Sequence, residues 1–131
     1  MRTYQRAVGV FGAGMALVFA MSGSASAGTS SIATDTSHYG SIVNFIPDDE
    51  WVSVRDEVSD GHSAVGLVDS HIGGEPRSWT LWNAKGSATQ QIYDLNIAEG
   101  EQVVIQACLG EYGSKTILWS TCGDPDFSGR A

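Results

Sequence analysis

The chain carries three histidines, His38, His62 and His71. They are the only side chains whose ordinary pKa lies near neutrality, so general acid–base chemistry would need them or a carboxylate with a displaced pKa. Asp60-Gly61-His62-Ser63 sets a carboxylate, an imidazole and a hydroxyl side by side. Nucleophile, base and orienting group meet only when separate elements bring them together, so this run reads as a polar turn entering a strand. Asp48-Asp49-Glu50 and Asp124-Pro125-Asp126 offer the oxygens that calcium prefers, but not the spacing of a calcium loop, and they read as solvated turn acids. Cys108 and Cys122 have no further cysteine or nearby histidine to complete a tetrahedral metal set. Phosphate loops, nucleophile elbows, metalloprotease helices and dinucleotide fingerprints are absent from the sequence. The expectation is therefore no catalytic residues, no cofactor and no metal.

The elements that would position any site begin after a segment with the order of a secretory signal peptide. Arg2 and Arg6 precede an apolar run from Ala7 to about Met21, and a small-residue stretch ends in Ala25-Ser26-Ala27. Only small side chains fit the positions before the cut, which places cleavage after Ala27 and the protein outside the cell. The run is shorter than the roughly 20 apolar residues of a membrane span and is broken by glycines. Cleavage leaves 104 residues with five basic against fifteen acidic side chains, a net charge of −10. That balance disfavours nucleic acid and anionic lipid as partners and fits a basic protein surface.

Residues 28–41 contain only Ile32 and Tyr39 as bulky apolar groups. Such a composition buries too little to offset its ordering entropy, which predicts a flexible N-terminal tail with Ile32 and Tyr39 as partner-binding residues. Folded structure is expected over 42–131. There the apolar periodicity is short and alternating, with strands near 51–55, 63–68, 78–82, 90–95, 102–109 and 116–121 and one more at 42–46. Gly73-Gly74-Glu75-Pro76, Ala98-Glu99-Gly100 and Tyr112-Gly113-Ser114 supply turn chemistry between them. This is an all-β antiparallel pattern, a single β-sandwich, with Trp79, Leu81, Ile117 and Trp119 as its large core residues. Cys108 and Cys122 end the last two of these strands in an exported chain, which predicts one disulfide.

Leu95 and Ile97, the Ala-Glu-Gly turn, and the row Val103, Ile105, Ala107 and Leu109 resemble the corner between the sheets of immunoglobulin-like and fibronectin type III sandwiches. Val103 stands near the place of the usual corner tyrosine. Asp60-Gly61-His62-Ser63-Ala64, the run from Tyr93 to Glu101 and the run from Tyr112 to Cys122 resemble small secreted β-sandwich proteins of streptomycetes and related actinobacteria. That group includes the adaptor subunit of umbrella toxin particles, which links a repeat-containing toxin subunit to a lectin-like one. The resemblance implies a secreted, non-catalytic adaptor with other secreted proteins as partners. An alternative from the residues alone is a secreted inhibitor of a protease or glycosidase, presenting Lys85 or Arg77 from a rigid loop.

Overall fold

The computed structural model describes residues 28–131; the signal peptide expected over 1–27 lies outside them. Nine strands follow in order: β1 (Ser31–Thr34), β2 (Ile42–Ile46), β3 (Trp51–Asp56), β4 (Ser63–Ile72), β5 (Glu75–Asn83), β6 (Thr89–Asp94), β7 (Gln102–Glu111), β8 (Thr116–Leu118) and β9 (Asp126–Arg130). A single 3-10 turn, Trp119–Thr121, interrupts the expected last strand. The strands form two antiparallel sheets, one ordered β1-β2-β3-β6 and the other β5-β4-β7-β8, with β9 also paired to β7. The chain crosses between sheets at 57–62, 84–88 and 95–101. This is the Greek-key logic of immunoglobulin-like sandwiches.

Alternation explains the pairing. Val43 and Phe45 on β2 lie opposite Val54 and Val52 on β3, and all four are fully buried. On the facing sheet Val68 of β4 pairs with Ile105 of β7, and Ala64 with Leu109. Burying one such side chain contributes about 1.5–3 kcal/mol, so a one-residue slip of register would expose the whole set. The corner is as expected: Leu95 and Ile97 close one sheet, and Val103, Ile105 and Ala107 open the other, all buried. Between β5 and β6, buried Asn83 donates through Nδ2 to the carbonyls of Val54 and Thr89, each at 3.1 Å. The Tyr93 hydroxyl donates to the Trp82 carbonyl at 2.5 Å and closes the same side.

Residues 28–41 are not a free tail. Strand β1 pairs with β2 from Ser31↔Phe45 to Thr34↔Ile42, Thr29 bridges to Arg130, and Ser31, Ala33 and Asp35 are buried. The Asp35 carboxylate accepts from the Ser37 hydroxyl at 2.6 Å and the Ser41 amide at 3.1 Å, satisfying the β1–β2 connection from within. On its other edge β1 meets the segment after β8. The Thr36 amide donates to the Thr121 carbonyl at 2.9 Å, and a Cβ on Gly123 would lie 1.8 Å from the Thr34 carbonyl oxygen. Small inward residues and a backbone ladder order this strand without bulky side chains.

Two other expectations shift. Trp119 is 67% exposed rather than in the core, because the 3-10 turn ends β8 before it. Leu81 is buried, and Trp79 packs partly buried against the core. Arg77 lies within β5, paired to Ser70, because Gly73 and Gly74 form the tight β4–β5 turn; it is not on a presented loop.

Asp56 ends β3 with its carboxylate buried, accepting from the Val58 amide at 3.2 Å. Burial, then the charges of Asp60 and Glu57, raise its pKa above 3.8 against the lowering effect of that amide. A raised acid pKa means that the ionised form costs stability above the folded-state value and that this cost fades as pH falls through it. Asp56→Asn keeps the acceptor and removes the charge. It is expected to raise the melting temperature by a few degrees at pH 7, with the gain gone below pH 3.8. Parallel melts of both proteins across that range check it.

Candidate functional site

Strands β4, β5 and β7 set two cross-strand rows on the outer face of the five-stranded sheet. Thr80, Leu67 and Gln106 form one, and Ser78, Asp69 and Val104 the other. Side chains alternate along a strand, so these residues point away from the inward set of Val68, Leu81 and Ile105. The Ser78 hydroxyl donates to Asp69 at 2.6 Å. With Trp119, Pro125 and Phe127, the rows line an open groove of about 500 Å³.

The wall of this groove is the excursion between β8 and β9, which pair with different stretches of the same β7 edge. Four ties hold it. The Cys108–Cys122 disulfide is formed. The Leu109 amide donates to the Thr121 hydroxyl at 2.8 Å, the Gly123 amide to the Ala107 carbonyl at 3.0 Å, and Gln106 Nε2 to the Gly123 carbonyl at 2.9 Å. The predicted pairing is present, but it ties the segment after the 3-10 turn to the interior of β7 and does not join two strand ends. Trp119 and Phe127 stand out from this anchored wall at 67% and 58% exposure.

Phe127 and Pro125 also flank a second groove, which they share with Ile32, Asp35, Asp124 and Asp126. Ile32, expected to bind a partner, therefore sits beside Phe127 while remaining exposed; Tyr39 is exposed on the β1–β2 connection and lines neither groove. Asp126 accepts from the Ser128 hydroxyl at 2.5 Å and its amide at 2.8 Å. These bonds hold its carboxyl below the ordinary value, so it is ionised at neutral pH. On the outer face of the four-stranded sheet Ile46, Trp51 and Ile92 expose a further apolar surface across β2, β3 and β6, with Ile32 of β1 at the edge between it and the second groove.

The histidines lie apart. The His62 ring contacts Glu111, while its backbone amide donates to Asp60 at 2.9 Å, so the Asp60-Gly61-His62-Ser63 run is a local turn leading into β4. His71, near the end of β4, faces Glu101 at 3.3 Å, and His38 sits on the β1–β2 connection with φ 76°. Among the described residues no group of three or more His, Cys, Asp or Glu is arranged to hold a metal ion, and no helix is long and apolar enough to cross a membrane. A disulfide in an all-β domain fits an extracellular protein. Comparison with protein-family models, with curated proteins and with solved structures found no match.

Trp119, Phe127 and the strand β9 that carries Phe127 were missed as a site because Asp124-Pro125-Asp126 reads as a turn in isolation. The disulfide, which brings Cys122 back to β7, was the one signal that this segment returns to the sheet.

Proposed function

We propose that this chain is a secreted, non-catalytic adaptor that joins other secreted proteins through the outer faces of its two sheets. The observation that carries the reading is the exposure of large apolar side chains on both sides of the sandwich: Trp119 and Phe127 on one, Ile46, Trp51 and Ile92 on the other. Apolar patches on a small domain mark interaction surfaces, and two patches on opposite faces suit a protein that holds two partners at once. The signal-peptide pattern and the sequence resemblance supply the setting, an extracellular assembly of the toxin-particle kind.

The test is isolation of the native protein from culture supernatant. Its intact mass is expected to fit a chain beginning at Gly28, and size exclusion with light scattering should find it in a complex larger than the 104-residue chain. Trp119→Ala should release one partner, and Ile46→Ser with Ile92→Ser another. Recovery of a monomer without partners, or of a stoichiometric complex with an inhibited hydrolase, contradicts the adaptor reading.

A further inference from the structure

We infer that the groove on the outer face of the five-stranded sheet takes an extended cationic segment of a partner protein, an arginine or lysine lying over Trp119 and Phe127 with its charge toward Asp69 and Asp124. This inference rests on the protein-binding reading and names the chemistry of one partner.

The lining supplies two of the arguments. Its floor carries a single charged side chain, Asp69, and its wall is aromatic; the adjoining groove beyond Phe127 adds Asp35, Asp124 and Asp126, with His38 also in its lining. Neither lining contains a lysine or arginine. A cation over an aromatic face gains about 0.5–2 kcal/mol, more when partly desolvated. Carboxylates beside the ring add long-range attraction on a domain of net charge −10.

The same sheet provides an internal comparison. Trp82 pairs with Val65 on the outer face and packs edge-to-face on Tyr112, ring centroids 5.7 Å apart. The protein covers this pair with its own cation: Lys115 Nζ lies 2.9 Å from the Tyr112 centroid and 5.5 Å from that of Trp82. Trp119 and Phe127 both line the groove, and among the described residues no lysine or arginine lies over either ring. An arginine would serve better than a lysine, because its planar guanidinium stacks on a ring while bonding a carboxylate at its edge.

The experiment titrates the chain over 28–131 with hexa-arginine amide by calorimetry, using hexaglutamate and chitohexaose as comparison ligands. Trp119→Ala leaves the charge unchanged, and because the side chain is exposed it leaves the fold intact; it should weaken hexa-arginine binding roughly tenfold. Asp69→Asn with Asp124→Asn keeps the aromatic wall and should weaken it similarly. Asp48→Asn with Asp49→Asn removes the same charge from the β2–β3 turn and should change binding less than about twofold. Equal losses in the two double variants, or wild-type binding by Trp119→Ala, would reduce the effect to diffuse attraction and overturn the groove. Binding of chitohexaose in place of the cationic peptide overturns it in favour of a glycan. Loss of a native partner from Trp119→Ala without groove-specific hexa-arginine binding overturns the cationic occupant and leaves the adaptor reading standing. Groove-specific hexa-arginine binding by a protein without native partners does the reverse.

Discussion

Deleting residues 28–41 is expected to abolish cooperative folding. The segment carries β1, whose four residue pairs with β2 complete the ladder of the four-stranded sheet. It also carries Asp35, whose carboxylate holds the β1–β2 connection, and Ser41, whose hydroxyl donates to the Val65 carbonyl across the sandwich at 3.1 Å. Without it Val43 and Phe45, both fully buried, lose cover at the sheet edge. Gly28 shows how closely the start of the described chain is held: a Cβ there would lie 2.3 Å from the Arg130 carbonyl oxygen. Partial exposure of a Phe and a Val, together with lost ladder bonds, amounts to at least about 5 kcal/mol, comparable to the whole stability of many small domains. Circular dichroism melts of 42–131 against 28–131 check this, and a sharp transition within a few degrees of the longer chain would contradict it. Ile32→Ala and Tyr39→Ala should leave the melt almost unchanged, because both side chains are exposed.

The contrast between β1 and the central strands shows what the sequence made legible. Val52 and Val54, or Val103, Ile105 and Ala107, announce themselves by period-two alternation of apolar groups, and each lies where that period puts it. The inward residues of β1 are Ser31 and Ala33, followed directly by buried Asp35, and the polar two carry no hydrophobic signal. Their burial depends on β2 and on the segment around Gly123, contacts distant in sequence. Trp119 misleads in the opposite direction. An indole in an alternating run reads as core, but the Thr121 hydroxyl bonded to the Leu118 carbonyl at 2.5 Å turns the chain out of the strand. The groove was hidden for the same reason, since its wall exists only once Cys122 has returned to β7. The disulfide itself needed only the count and the compartment, and was therefore legible.

Replacing both cysteines is the second large expected effect. Cys108 and Cys122 are separated by 14 positions, and a loop of that size contributes about 3 kcal/mol in the chain-entropy account. For a domain of about this length Cys108→Ala with Cys122→Ala is expected to lower the melting temperature by roughly 10–20 °C. Reductant should move the wild-type protein in the same direction. The loss should begin locally, because the segment from Trp119 to Pro125 lies off the β7 edge between two short pairings and has few ties besides the disulfide. Amide exchange should therefore accelerate first at Gly123, which donates to Ala107, at Leu109, which donates to Thr121, and at Thr36, which donates to the Thr121 carbonyl. Those amides report on both neighbours of the excursion, so their early exchange would show the C-terminal segment leaving β7 and β1 together. An unchanged melt would place the stability of this edge in the hydrogen bonds alone. Exchange that accelerates uniformly, with no lead at these amides, would mean that the staple acts on the unfolded chain and not on the wall of the groove.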